Sequence, residues 1–162
     1  MRVARLKYLD EAGRERSWET ADRTTRQGEV DAVAIFAVIT SGQHEARTVL
    51  VSQFRPPVGA NVVELPAGLV DAGENCEAAA ERELLEETGY CGRAARSSPV
   101  LFSDPGMSGA NMRLVVVEVD GDAPENRNPK QQLDDGELIQ RHLVPVAGLR
   151  DTVERMAEKH GW

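Results

Sequence analysis

The sequence predicts a mixed α/β (α+β) domain, a mixed β-sheet sandwiched between helices and preceded by an N-terminal antiparallel β arm. Three observations carry this. Strand-like segments outnumber helical ones and do not alternate regularly with them, which disfavours a doubly wound sheet. Two long runs, "DAVAIFAVIT" (Asp31 to Thr40) and "ARTVLVSQF" (Ala46 to Phe54), are β-branched and apolar in the way of buried strands. The clearest helix, Glu77 to Thr88, has a signal at each end: Asn75 as N-cap and Gly89 as a C-terminal stop.

In chain order, Val3 to Leu9 and Arg14 to Thr20 read as a hairpin across the turn Asp10-Glu11-Ala12-Gly13. A polar stretch from Arg23 to Glu29 follows. The two apolar strands come next, separated by Ser41-Gly42-Gln43-His44. Val62 to Leu65 is a short strand stopped by Pro66. After the helix, Pro99 to Phe102 and Met112 to Asp120 read as strands, Gly121 to Gly136 as loop, Leu138 to Val146 as a last strand and Leu149 to His160 as a terminal helix. Residues 1–30 are thus expected as an arm and residues 31–162 as the main domain.

A chain of 162 residues suits one domain that needs no covalent staple. With 41% hydrophobic and 28% charged residues its composition is that of a globular protein. The longest apolar run, Ala32 to Ile39, is far too short to span a membrane, and no signal-peptide pattern opens the chain, so cytoplasm is the expectation. Cys76 and Cys91 flank the helix, which holds them roughly 20 Å apart at ~1.5 Å per residue and predicts free thiols. His44, His142 and His160 show no zinc-type spacing. "GMSG" at Gly106 to Gly109 lacks the spacing of a serine-hydrolase elbow.

Net charge is −8, and its distribution is informative. Glu64, Asp71, Glu74, Glu77, Glu81, Glu83, Glu86 and Glu87 crowd one window with Arg82 as the only base, whereas the first thirty residues are nearly balanced. No dominant basic face exists for duplex nucleic acid. On a helix at about 100° per residue, Glu83, Glu86 and Glu87 fall on one side, with Leu85 and Ala78 expected on the core side and Leu84 between. A solvated acidic face is one reading of such a run. The other is a hard divalent cation: carboxylates this close repel and raise one another's pKa values, and Mg²⁺ takes oxygen ligands together with substrate phosphates. The glycine-rich loop before the helix, with Gly68 and Gly73, favours the second.

Gly68, Glu74, Arg82-Glu83-Leu84, Glu86-Glu87, Gly89 and Tyr90, at these spacings over 23 residues, resemble the Nudix box, with Tyr90 where the motif usually has an aliphatic residue. "SWETADRTTR" (Ser17 to Arg26), "QFRPPVG" (Gln53 to Gly59), "ELPAGLVDAGE" (Glu64 to Glu74), "SDPGMS" (Ser103 to Ser108) and "DGEL" (Asp135 to Leu138) extend the likeness to the ADP-ribose/ADP-sugar pyrophosphatase branch. Pro105, fifteen residues after Tyr90, has the spacing of ADP-ribose-preferring members. The resemblance implies the Nudix fold and Mg²⁺-dependent hydrolysis of ADP-ribose or a related ADP-sugar to AMP and a sugar phosphate, with Mn²⁺ as a substitute ion. Alternatives are another nucleoside diphosphate derivative (an oxidised nucleotide, NADH, a dinucleoside polyphosphate) or a non-catalytic ADP-ribose or NAD sensor.

Carried over by position, the resemblance implies Glu83, Glu86, Glu87 and the Ala67 carbonyl as metal ligands, with Arg82 bracing the glutamates. It implies Glu137 as general base, with Asp134 and Asp135 as rivals. Trp18 would stack on adenine, Arg23 and Arg55 would approach phosphate or ribose, and Glu19 and Glu64 would bind substrate. Read from their surroundings alone, Trp18 sits among charges where a purine could stack, with strand packing as the alternative, and Arg55 before Pro56-Pro57 is aimed at phosphate, with a surface salt bridge as the alternative. Met1 stands about where relatives place a second stacking aromatic, for which Tyr8 is a substitute. Family dimers exchange this arm, which would make the protein a homodimer. Glu77 and Glu81 receive no role and are expected in solvent.

Overall fold

The computed structural model describes residues 1–42 and 44–160, apart from the His160 side chain. Gln43 of the expected turn, the His160 side chain, and Gly161 and Trp162 of the expected main domain lie outside the described residues.

The arm is a two-stranded antiparallel sheet, β1 (Arg2–Leu9) and β2 (Glu15–Asp22), in register from Arg2↔Asp22 to Leu9↔Glu15. Asp10 closes its turn, its carboxylate accepting from the backbone N–H groups of Ala12 and Arg14. The main sheet is mixed. Its order is β10 (Gln140–Pro145), β4 (Arg47–Arg55), β3 (Ala32–Thr40), β9 (Asn111–Asp120), β7 (Arg93–Ser97). Among the described residues only β3 and β9 pair in parallel, from Ala32↔Met112 to Thr40↔Asp120, and the crossover between them carries the helix α1 (Cys76–Thr88). Three short strands extend the sheet: β5 (Ala60–Glu64) on β4, β6 (Ala67–Leu69) on β3 and β8 (Leu101–Phe102) on β9. The terminal helix α2 (Leu149–His160) rests against β10.

Period-two alternation in β3 and β9 builds the core. Val33, Ile35, Ala37 and Ile39, with Val115, Val117 and Val119, turn one face inward onto Ala79, Ala80 and Leu84 of α1 and onto Tyr90. The aromatic ring at the last motif position is therefore core. The expectation for α1 needs correcting here. Leu84, Ala79 and Ala80 face the sheet, Leu85 is only partly covered and Ala78 is exposed. Leu84, Ala80 and Thr88 repeat at four-residue spacing, so they and not Leu85 line the buried side. Glu87 shares that buried side.

Two strands have no counterpart in the sequence reading. In β6, three residues after Pro66, the chain turns back along β3 with Ala67↔Ala34 and Leu69↔Ala32. In β7, the segment "RAARS" has no apolar alternation and pairs with β9 through a bulge between Ala94 and Arg96. Glu81, expected in solvent, holds this strand to α1: it accepts from the Ala94 backbone N–H at 2.9 Å and from Arg93 at 3.1 Å. Cys76 and Cys91 are free thiols. Among the described residues, no helix is long and apolar enough to cross a membrane.

Candidate active site

Where β3 and β9 begin, β6 and the C-terminal half of α1 enclose a cavity of about 750 Å³. Glu64, Ala67, Arg82, Glu83, Glu86 and Glu87 line it, with Arg23, Arg55 and Glu137. A second cavity, about 860 Å³, lies on the other side of α1 around Glu81, Leu85 and Glu118, and Arg82 is the one predicted site residue that reaches it.

The helix that carries the glutamates is capped at both ends. Asn75 Oδ1 accepts from the Ala78 N–H at 2.8 Å, and Gly89, at φ 78°, donates its N–H to the Leu85 carbonyl. Arg82 is the hub of the acidic cluster. Its Nε and Nη2 grip Glu74 at 3.1 and 2.9 Å, while Nη1 reaches Glu83 at 2.8 Å and Glu86 at 3.0 Å. Nη2 also donates to the Leu69 carbonyl at 3.0 Å, tying the loop to the helix. The guanidinium holds the Glu74 carboxyl below the usual carboxylate range, and its own pKa is raised by the acids around it.

Glu83 and Glu87 occupy the costlier positions. Burial pushes the Glu83 carboxyl up against the pull of Arg82. Glu87, 6% exposed, is pushed up to about 7, first by burial and then by the charges of Glu83 and Glu137; the hydrogen bond from the Ala67 N–H at 3.0 Å opposes this. Gly68 explains the closeness of loop and helix. A Cβ there would lie 1.9 Å from Glu83 Cδ, so the glutamate rests directly on bare backbone. Among the described residues no three acidic, His or Cys side chains already converge on one point as metal ligands do. Glu83 and Glu86 are turned onto Arg82, and Glu87 onto the Ala67 N–H. The donor set, oxygen only and with Glu83 and Glu87 largely withdrawn from water, nonetheless fits a hard divalent cation.

Arg55 and Glu64 meet in a bidentate pair, Nε to Oε1 at 2.8 Å and Nη2 to Oε2 at 2.5 Å, on adjacent strands β4 and β5. Both line the cavity. Glu137 lies on the loop before β10, and its carboxylate accepts from the Asp134 backbone N–H at 3.1 Å. Asp134 lines the cavity beside it, whereas Asp135 does not.

The arm is placed differently. Arg23 lines the cavity of its own chain. Trp18 does not; its ring is half exposed and its indole N–H donates to the Gly106 carbonyl at 2.7 Å. Glu19 points to the opposite face of the hairpin, where it pairs with Arg5 at 3.2 Å. Tyr8 shares a face with Trp18, since Trp18 stands opposite Leu6 and Tyr8 is two residues on.

Sequence reasoning passed over the group that joins arm and cavity. Asp31, buried at the head of β3, accepts two hydrogen bonds from Arg26 at 2.9 and 2.5 Å and one from the Asn111 N–H at 2.9 Å. Asn111 answers through Oδ1 to the Asp31 N–H at 2.9 Å. Asp22 fixes the Gly109 N–H at 2.7 Å. These bonds hold the loop that brings Ser103, Asp104 and Ser108 to the cavity wall. The available signal was an aspartate at the mouth of a long apolar strand, where a buried carboxylate requires partners.

Comparison with known proteins gives the family. A profile described as the NUDIX domain matches residues 30–161. A Nudix hydrolase of Schizosaccharomyces pombe is 44% identical over 97% of this chain and 77% of its own length. The ADP-ribose pyrophosphatase of Saccharomyces cerevisiae is 42% identical over 97% of this chain and 69% of its own. The ADP-sugar pyrophosphatase of Mus musculus is also 42% identical, over 94% and 71%. A solved structure of an ADP compounds hydrolase superposes with a TM-score of 0.65 at 22% identity, covering 94% of this chain and 74% of that one, and so shares the fold. The glutamates on α1, the Gly68 cradle beneath them and the extent of these matches place the chain in the Nudix hydrolase family.

Proposed function

We propose that the chain hydrolyses the pyrophosphate bond of ADP-ribose or a related ADP-sugar, giving AMP and a sugar phosphate, with Mg²⁺ as the working ion and Mn²⁺ able to replace it. The observation that carries this is the single cavity shared by the clustered acids of α1, by Arg55 and by Glu137. The names of the yeast and mouse relatives support the substrate class.

Glu83, Glu86 and Glu87, with the Ala67 carbonyl, are the groups that would hold the cation. The chemistry a bound divalent ion supplies is charge neutralisation of the pyrophosphate and a lowered pKa for water. Arg82 keeps the helix acids in place between Glu74 and the loop. Glu64 occupies the Nε and Nη2 side of Arg55, which leaves Nη1 for a phosphate oxygen. Glu137 takes the proton from the attacking water, at an oxygen that now accepts from the Asp134 N–H. Residues 31–162 form the hydrolase domain, and residues 1–30 the arm that binds adenine on Trp18 and joins two chains as a homodimer with exchanged arms. The compartment we assign is the cytoplasm.

The test compares kcat/KM for ADP-ribose, an oxidised nucleoside diphosphate, NADH and a dinucleoside polyphosphate with Mg²⁺, reading AMP release. We expect ADP-ribose or an ADP-sugar to lead by at least tenfold and Glu83→Gln to abolish turnover in a folded protein. A different leading substrate overturns the assignment of substrate, and full activity of Glu83→Gln overturns the site.

A further inference from the structure

The last turn of α1 presents four backbone carbonyls that no residue of the helix can reach, and helices leave these groups to water or to caps. Here all four are used. The Leu85 carbonyl takes the Gly89 N–H at 2.8 Å. The Glu86 carbonyl takes the backbone N–H of Gln132 at 2.8 Å, the Glu87 carbonyl takes Nε2 of Gln131 at 2.7 Å, and the Thr88 carbonyl takes Nη1 of Arg141 at 2.6 Å. Three of the four acceptors are thus filled from one segment, and that segment carries Glu137.

Gln131 does more than cap. Its Nε2 also donates to the Ile139 carbonyl at 3.0 Å. One carboxamide therefore draws together the end of the metal-site helix, the start of the Glu137 loop and its finish at β10. Arg141 repeats the arrangement one step further out, reaching the Pro129 carbonyl at 2.8 Å. The Gln131 side chain is an amide, and both of its contacts on Nε2 are to carbonyl oxygens, so the donor is what matters. A carboxylate of the same shape offers no hydrogen and would face two acceptors.

We infer that Gln131 is a positioning residue for the reaction: its Nε2, shared between the Glu87 and Ile139 carbonyls, sets the span of the 132–138 loop and thereby the distance of Glu137 from the acids on α1. This rests on the assignment of Glu137 as general base. Gln131 touches neither substrate nor reacting atoms, so its effect falls on kcat and passes through Glu137.

The experiment is a double-mutant cycle on the full chain with ADP-ribose and Mg²⁺, using Gln131→Glu, Glu137→Gln and the pair, with Gln131→Lys as the variant that restores a donor. Circular dichroism checks that each is folded. We expect Gln131→Glu to lower kcat at least tenfold while KM and the Mg²⁺ concentration for half-maximal rate change less than twofold. Gln131→Lys recovers part of the loss, and the double variant is no slower than Glu137→Gln alone. Unchanged kcat in Gln131→Glu while Glu137→Gln is inactive overturns the inference and leaves the base assignment standing. So do fold-losses that multiply in the double variant, or equal losses in the Glu and Lys variants. Full activity in Glu137→Gln overturns the base assignment, and the inference with it.

Discussion

Glu87 lies on the same side of α1 as Leu84 and Ala80, within range of the charges on Glu83 and Glu137. An ordinary carboxyl titrates near 4.5 and this one near 7, a gap worth on the order of 3 kcal/mol. The sign follows from proton binding. Between those two values the folded chain holds a proton that the unfolded chain has released, so this stabilising contribution is complete below about 4.5 and lost as pH rises through about 7. With a chelator present, we expect Glu87→Gln to melt several degrees above the parent at pH 8, and the gap to close towards pH 5. Differential scanning calorimetry at the two pH values reads this directly; a gap independent of pH contradicts it. The same reasoning gives Gly68 its chemical meaning. Its missing side chain is what lets Glu83 lie flat on the loop, a close approach that no count of acidic residues reveals.

At the scale of elements, Gly89 serves the helix and the loop together. Its φ of 78° closes α1 in the left-handed region, and a Cβ there would come 2.3 Å from the Lys130 backbone nitrogen. Alanine pays about 1–2 kcal/mol for that backbone conformation alone, and the clash falls on the segment that leads to Glu137. We expect Gly89→Ala to lower Tm by about 4 °C or more and to lower kcat even well below the melting range. A variant that melts early but turns over normally at low temperature would separate the cap from the loop and refute the coupling. The boundaries of α1, β3, β4, β9 and α2 were legible because each carries its own signal: caps, glycine stops and apolar alternation. The strands β6 and β7 were not. Three residues that follow a proline, or two alanines among arginines and a serine at a bulged edge, become strands only because β3 and β9 offer them partners. The acids on α1 were legible as a group, but the wheel misplaced the core face. Position on the sheet, rather than the average apolar side, decides which residues are covered, and it buries Glu87 beside Leu84.

For the molecule as a whole, the arm is the part least accounted for by one chain. An isolated pair of strands is marginal in water, yet Val3 and Leu9 are 74% and 69% exposed, and Leu6, Tyr8 and Trp18 also meet solvent. The hairpin's described ties to the domain are few and local: Thr20, Ala21 and Asp22 hold Met107, Ser108 and Gly109, and Trp18 holds Gly106, while Arg26 beyond the hairpin holds Asp31 and Gly109. Apolar side chains at both faces of a hairpin call for a covering surface, and a second copy of the chain supplies one in the proposed homodimer. Light scattering should give twice the mass of one chain, and Leu6→Asp with Leu9→Asp should give a monomer with a raised KM for ADP-ribose. A parent protein that is monomeric at micromolar concentration rules the exchange out.

The bolting of the 129–141 segment to the end of α1 also bears on what this scaffold can tolerate over time. The anchors at Gln131, Gln132 and Arg141 engage main-chain carbonyls, which every substitution on the helix leaves in place. Within residues 133–138, positions other than Glu137 can then take new side chains against new substrates at unchanged loop length, while the splice points stay fastened to a helix whose acids need not change.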